Sequence, residues 1–165
     1  MPTQKAGFNL DLSGLDAIAS VAKQRAITLK AVKAGAKLVQ AAAKSKAPKR
    51  SGALRQSLGI KSKKGTRGKT LALAIVGART KVQKMVKVRG RSSKVLAVPS
   101  KYSHLVEKGT KPHGGHPGAK AKPFLRPAFD ATKDAAGAAG ARVMIAEVEK
   151  AIAQQAAKFA KKGGK

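Results

Sequence analysis

The sequence predicts an α+β fold, in which a small antiparallel β-sheet packs with a long N-terminal helix and a long C-terminal helix. Three observations predict it. Apolar residues recur at helical spacing in the stretches 13–46 and 126–162, and between them, at 57–98, short apolar runs alternate with turns rich in Gly, Lys and Ser. Helices that flank a few strands are the order expected of an α+β domain.

The first predicted helix runs from Ser13 to Lys46. Ser13 can accept a backbone N–H as an N-cap, and Asp16, three positions later, suits the positive end of a helix. Gly35 weakens this helix by about 1 kcal/mol relative to alanine. Pro48 is expected to end it, because proline disfavours helical geometry in the residue before it.

A first pair of strands is predicted after this helix. Leu58 and Ile60 alternate with polar residues, a basic loop follows at 61–69, and the apolar run 70–76 closes at Gly77. Two strands joined by a flexible basic loop is the interpretation that this pattern favours.

A second pair of strands is predicted from the apolar residues of 82–88 and 95–98, with the basic residues 89–93 as the loop between them. The wider basic stretch 79–94 is taken as the second basic loop of the domain. Residues 82–88 could instead form a short helix. A short helix at 102–108 then leads into a loop rich in Gly, Pro and His at 111–123, and loops of this length are usually functional or disordered.

The last predicted helix spans 126–162, and Pro127 suits its first turn, where the missing N–H of proline costs nothing. The chain is thus expected to contain three segments: an N-terminal arm at 1–12, a single α+β domain at 13–160 and a flexible basic tail at 161–165.

The charge of the chain is extreme and unevenly distributed. There are 36 Lys and Arg residues against 7 Asp and Glu, a net charge of +29, and no acidic residue occurs between Asp16 and Glu107. Such charge either solvates a surface or, as we expect here, meets a polyanion or an acidic partner. The expected contacts to DNA or to acidic partners are Lys61, Lys63, Lys64, Arg67, Lys69, Lys84, Lys87, Arg89, Arg91 and Lys94.

The sequence carries little that favours catalysis, and we expect no enzyme, cofactor or metal site. His113 and His116 lie three apart in a flexible loop without a third ligand nearby, and His104 with Glu107 lacks a nucleophile. Residues 65–70 end in Gly-Lys-Thr but fail the glycine spacing of a phosphate-binding loop. No apolar run approaches the about 20 residues of a membrane span, so no membrane partner is expected.

Three short segments carry a resemblance to a known family. They are Ala-Pro-Lys-Arg-Ser-Gly-Ala-Leu-Arg-Gln-Ser at 47–57, Tyr-Ser-His-Leu-Val-Glu-Lys-Gly-Thr at 102–110 and Pro-Phe-Leu-Arg-Pro-Ala-Phe at 123–129. In this order and spacing they resemble the tail-component or neck proteins of long-tailed bacteriophages. The residues that carry the resemblance are Pro48, Gly52, Leu54, Arg55, Tyr102, Glu107, Gly109, Thr110, Pro123, Phe124, Leu125, Arg126, Pro127 and Phe129.

The segments also suggest local roles. Gly52 can take a positive φ in a helix-to-strand turn that Leu54 follows. Glu107, isolated in a basic stretch, is expected to pair with a basic group such as Arg55 or Arg126. Arg126 is expected to fix the start of the last helix or to bridge subunits.

The resemblance implies a structural virion protein, assembled in the host cytoplasm, that forms a hexameric or dodecameric ring at the head–tail junction. Its partners would be further copies of itself, connector or head-closure proteins, tail-terminator or tail-tube proteins, and genomic DNA in the channel. The alternative is a nucleoid-like or ribosomal-type protein that binds nucleic acid without sequence specificity, which the composition also favours.

Overall fold

The computed structural model describes residues 21–49, 52–64, 72–78, 82–88, 91–115 and 117–162. Its elements follow the chain in this order: α1 Val21–Lys46, α2 Ala53–Ser57, β1 Leu58–Lys64, β2 Ala72–Ala78, β3 Val82–Val88, β4 Arg91–Ala97, α3 Pro99–Lys108 and α4 Leu125–Lys162. The predicted α+β class is confirmed. The described strands form two separate two-stranded sheets, β1 with β2 and β3 with β4.

The described residues divide into two compact units. One lies within 1–38, 62–75 and 133–165, and the other lies within 39–61 and 76–132. In the first unit, Ile27 and Ala151 form a small buried cluster with Met144 and Val148 beside it. The second unit contains the larger core described below. The organisation into an arm, a single domain and a tail stays a prediction.

Helix α1 ends as the sequence predicts. Its last residue is Lys46, two positions before Pro48, and the backbone N–H of Ala47 donates to the carbonyl of Ala43 at 2.9 Å. The helix continues through Gly35 without interruption. The predicted N-cap at Ser13 lies outside the described residues.

The first predicted basic loop, 61–69, is wrong over its first four residues. β1 continues through Lys64, so Lys61, Lys63 and Lys64 belong to a strand. A strand of an antiparallel sheet can carry polar side chains on the face that is in contact with solvent. Lys61 and Lys63 are both exposed, as side chains on such a face are. β2 ends at Ala78, so the prediction that the run closes at Gly77 is wrong by one residue.

The second predicted basic loop, 79–94, is also wrong, because β3 and the first part of β4 lie within it. The two strands pair antiparallel from Val82 opposite Ala97 to Val88 opposite Arg91. Only two residues, Arg and Gly, separate them, which is the commonest length of a hairpin connection. Residues 82–88 are therefore a strand, as predicted first, and not a short helix.

Helices α3 and α4 begin earlier than predicted. α3 starts at Pro99, because proline is favoured in the first turn of a helix, and α4 starts at Leu125. α4 ends at Lys162, as the sequence predicts, and the assignment of 161–165 to a flexible tail stays a prediction.

Candidate functional site

The three segments singled out in the sequence meet in one hydrophobic core. Residues 47–57 contribute Ala47 and Leu54, residues 102–110 contribute Tyr102, and residues 123–129 contribute Phe124 and Ala128. Phe124 is completely buried. The remaining members of the cluster and its margin are Ala43, Leu58, Ala42, Ala78, Val106 and Leu125. Segments far apart in the chain thus share one packing role in this unit.

Glu107 binds the first backbone groups of α4. Its carboxylate accepts the N–H of Phe124 at 2.8 Å, that of Leu125 at 3.1 Å and that of Arg126 at 3.1 Å. The first N–H groups of a helix have no partner within the helix, and a negative charge suits that end. The prediction that Glu107 pairs with a basic side chain is therefore wrong, because backbone donors at the start of α4 take its oxygens.

The two basic residues expected beside Glu107 make other contacts. The Arg55 Nε donates to the carbonyl of Lys44 in the last turn of α1, where a cation is favourable. The Arg126 Nε lies 3.9 Å from the carboxylate of Asp130, and both side chains are exposed. Arg126 is thus fixed at the start of α4 through its backbone N–H, and a bridge between subunits by its side chain stays a prediction.

Gly52 adopts the left-handed conformation that the sequence predicts, with φ 67°. It precedes the short helix α2 rather than leading straight into a strand, so Leu54 lies in a helical turn. The Ser57 hydroxyl donates to the Leu54 carbonyl at 2.7 Å within that turn, and the Gln40 side chain donates to the carbonyl of Leu58 at 2.7 Å. These contacts fix the segment between α1 and β1.

The α3–α4 loop, residues 109–124, is closed at its base by backbone hydrogen bonds. Thr110 and Ala119 exchange two of them, at 2.9 and 3.1 Å, and the N–H of Lys122 donates to the carbonyl of Val106 at 2.8 Å. The two limbs of the loop are therefore fixed to each other and to α3, although its described residues, 109–115 and 117–124, form neither a helix nor a strand of the sheets.

Two glycines allow this close approach. Gly109 and Gly118 have φ values of 75° and 77°. A Cβ on Gly109 would lie 2.6 Å from the carbonyl oxygen of Ala119, and a Cβ on Gly118 would lie 2.5 Å from that of Thr110. Gly109 is among the residues that carry the resemblance. Gly118 was not predicted from the sequence, because its importance depends on a contact with Thr110, eight positions earlier.

The outer part of the α3–α4 loop is exposed and basic. Lys111, His113, Lys120 and Lys122 are all exposed, as is Lys108 at the end of α3. No acidic residue occurs between Glu107 and Asp130, and the carboxylate of Glu107 is engaged at the helix start. The loop is therefore a cationic surface on a fixed base, and it is the candidate interaction site.

Tyr102 lies at the edge of the core of this unit. It packs against the cluster that contains Phe124, and burial raises the pKa of its hydroxyl above the usual value. The other residues of the resemblance are half-buried, such as Thr110, Pro127 and Phe129, or exposed, such as Pro123.

The residues expected to contact DNA or acidic partners are distributed over several elements. Lys61, Lys63 and Lys64 lie in β1, Lys84 and Lys87 in β3, and Arg91 and Lys94 in β4. Arg67, Lys69 and Arg89 lie outside the described residues. In the register of the hairpin, Lys84 is opposite Val95 and Lys94 is opposite Met85.

Within the described ranges, no group of three or more His, Asp or Glu residues is arranged to bind a metal ion. A ring nitrogen of His113 lies 3.3 Å from the carbonyl of Lys111, and His116 is not among the described residues. None of the helices in these ranges combines the length and apolar content that crossing a membrane requires.

A family model described as "Bacteriophage HK97-gp10, putative tail-component" matches residues 14–109. The chain belongs to this HK97-gp10-like family. The match contains the segment 47–57 and the second segment as far as Gly109, so the resemblance expected from the sequence is confirmed, while 123–129 lies beyond the matched residues. No curated protein and no solved structure matches the chain. As a phage tail component, this HK97-gp10-like chain is a structural protein that works among other phage structural proteins.

Proposed function

We propose that this HK97-gp10-like chain forms a ring in the phage neck, at the head–tail interface, and helps to complete the tail and join it to the DNA-filled head. Membership of a tail-component family supports a structural role. The observation that carries the more specific proposal is the charge distribution, with no acidic residue from 17 to 106 in a chain of net charge +29.

The charge suits a subunit that surrounds or adjoins a polyanion. Exposed lysines occur on β1, at Lys61 and Lys63, and on the α3–α4 loop, at Lys111, Lys120 and Lys122. DNA in the channel of the ring, or acidic surfaces of neighbouring subunits, would relieve the repulsion among them. Contacts between lysines and phosphates do not depend on the DNA sequence. This suits a channel through which every part of the genome passes.

Rings are built from heterologous contacts that close by rotation. We expect a hexamer or a dodecamer, with connector or head-closure proteins on one side and tail-terminator or tail-tube proteins on the other. The fixed α3–α4 loop is the expected contact with an acidic neighbour, because a preorganised loop loses little conformational freedom on binding.

The second candidate function is non-specific binding of nucleic acid by a free, nucleoid-like or ribosomal-type protein. The same net charge favours it. The two functions differ in salt dependence, since affinity that depends on phosphate contacts falls steeply with salt concentration.

Size-exclusion chromatography with light scattering tests the proposal on nuclease-treated full chain, in low and in high salt. A ring of defined mass that persists in high salt supports the neck function. A monomer that binds DNA in low salt only supports the alternative and contradicts the ring.

Immunogold labelling of purified particles tests the position separately. Label at the head–tail junction is the expected result, and label along the tail shaft or at its distal end would contradict it. Replacing Lys111, Lys120 and Lys122 together by glutamate should reduce incorporation into particles. The matched control replaces three exposed lysines of α4, Lys133, Lys150 and Lys158, together by glutamate and should leave incorporation unchanged.

A further inference from the structure

Helix α4 carries an exposed stripe whose members follow one another at alternating spacings of three and four residues. The members are Ala135, Ala138, Arg142, Ile145, Glu149, Ile152 and Ala156, and all seven are exposed. This spacing places side chains along one seam of a helix, as in helices that pair with another helix. Five of the seven residues are apolar.

The stripe is distinct from the face by which α4 packs within its own unit. Met144, Val148 and Ala151 lie with Ile27 of α1, and the Lys30 ammonium contacts the Glu147 carboxylate at 2.7 Å on that side. On the stripe, by contrast, Ile145 is 58% exposed and Ile152 is 48% exposed. Two large aliphatic side chains one heptad apart are therefore left on the surface of a helix that already has a packed side.

The charge of α4 separates it from the rest of the chain. Between Pro127 and Ala157 there are four acidic and three basic residues, whereas the whole chain has a net charge of +29. Four of the seven acidic residues are thus concentrated here. A second copy meets less repulsion along this stretch than along the basic parts of the chain, so the charge here permits two copies to pair.

The order of residues along the stripe is self-complementary. If two copies of α4 run antiparallel about an axis near Ile145, Arg142 of each lies within about one turn of Glu149 of the other. The same arrangement places the small Ala135 and Ala138 opposite Ile152 of the second copy. A parallel pair would instead align arginine with arginine and glutamate with glutamate.

We propose that the occupant of this stripe is a second copy of the chain, which pairs with it through α4 in an antiparallel, two-fold symmetric contact. The charge complementarity of Arg142 with Glu149 selects the orientation, and burial of Ile145 and Ile152 stabilises the contact. A two-fold contact closes on itself as a dimer. It is therefore different from the heterologous contact of the proposed ring and does not depend on it.

Charge reversal tests the orientation. The measurement is the dimer Kd of nuclease-treated full chain by sedimentation equilibrium in roughly 0.15 M salt, where the screening length of about 8 Å weakens the repulsion between distant charges more than the interaction of a close pair. Arg142→Glu and Glu149→Arg should each raise the Kd about tenfold or more, since each places like charges together, and about tenfold corresponds to 1.4 kcal/mol. The double variant restores the complementary pairs and should return the Kd to near its original value.

Lys133→Glu is the matched control, because it changes the charge by the same amount on α4 but lies off the stripe. Circular dichroism confirms that each variant is folded. If the stripe binds a different phage protein, or if two copies pair in parallel, the double variant should not restore the Kd. Failure of the double variant to restore the Kd would therefore overturn the proposal.

Disulfide trapping tests symmetry and separates this proposal from the ring. The chain has no cysteine, so cysteines introduced singly are unique. Ala138→Cys mixed with Ile152→Cys should give a covalent dimer on oxidation, whereas each variant alone should give little. The variant with both cysteines should give dimers only. A ladder of larger covalent species would show a heterologous contact and would refute the two-fold arrangement. If the same sample contained no species with the mass of a ring, that result would count against the proposed neck function only.

Discussion

The carboxylate of Glu107 lies 2.8 Å from the backbone nitrogen of Phe124, and this hydrogen bond links the last turn of α3 to the start of α4 across 17 residues. Phe124 itself is completely buried, in the same hydrophobic cluster as Leu54 and Leu58. One residue therefore receives a polar contact from its backbone and an apolar one from its side chain. The start of the long C-terminal helix is fixed by both.

Glu107→Ala should lower the free energy of unfolding by about 1–2 kcal/mol, the usual cost of losing a helix cap. Three N–H groups at the start of α4 would lose their acceptor, and two of them lie in partly buried hydrogen bonds. Glu107→Gln should cost less, because one oxygen acceptor remains. The check is the urea midpoint of unfolding.

Asp130→Asn is the control for a lost carboxylate on α4. The Asp130 carboxylate lies 3.9 Å from the Arg126 Nε, and exposed pairs of this kind contribute little to stability. An effect of Asp130→Asn as large as that of Glu107→Ala would show that general charge on α4, and not the cap, is responsible.

Gly118→Ala should destabilise the α3–α4 loop more than Gly114→Ala. Both positions have a positive φ, so both substitutions incur backbone strain of about 1 kcal/mol. Only at Gly118 would the new Cβ also meet backbone, at 2.5 Å from the carbonyl oxygen of Thr110, while nothing lies within 4 Å of a Cβ at Gly114. Hydrogen exchange at the amides of Thr110 and Ala119 measures the opening of the loop base.

Faster exchange at these amides in Gly118→Ala than in Gly114→Ala is the expected result. Equal exchange in the two variants would mean that the close approach of the two limbs contributes nothing beyond the conformational cost of a left-handed residue. Gly109→Ala should resemble Gly118→Ala, since its Cβ would lie 2.6 Å from Ala119.

The sequence predicts the two long helices well because their signals are local, whereas it does not predict the short helix α2. Pro48 marks the end of α1, and the positive φ of Gly52 is found in the turn that follows, directly before α2. The strands are predicted less well, since polar residues such as Lys61 and Lys63 can belong either to a loop or to the solvated face of a strand. Only pairing with a partner strand decides between them.

The partners of Glu107 could not be predicted from charge alone. A lone carboxylate in a basic stretch suggests an ion pair, and nothing in the spacing of 107 and 124 shows that the start of a helix comes next to it. The importance of Gly118 could not be predicted either, because the contact that requires glycine there is with the backbone of Thr110. Relationships of this kind depend on tertiary structure.

Tyr102 predicts a loss of stability at alkaline pH. Burial raises the pKa of its hydroxyl in the folded protein above the unfolded value of about 10. The folded state therefore holds this proton more tightly, so the contribution to stability is complete below pH 10 and is lost as the pH rises through the folded pKa. Tyr102→Phe has no hydroxyl to ionise and should lose less stability over this interval.

The comparison of the two proteins removes the effect of lysine titration, which is common to both. Urea unfolding at a series of pH values between 9 and 11 is the measurement. Parallel curves for the original chain and Tyr102→Phe would contradict a raised pKa at this position.

Gly137→Ala should stabilise the protein. Gly137 lies within α4 and is not among the positive-φ glycines, and nothing lies within 4 Å of a Cβ built on it. Alanine restricts the unfolded chain more than glycine does and is favoured in a helix interior, so the free energy of unfolding should rise by about 0.5–1 kcal/mol. Urea unfolding followed by circular dichroism at 222 nm checks this.

Because position 137 lies off the exposed stripe of α4, the dimer Kd should not change. A Kd altered by this substitution alone would mean that the contact between copies involves a wider surface of α4 than the stripe through Ile145.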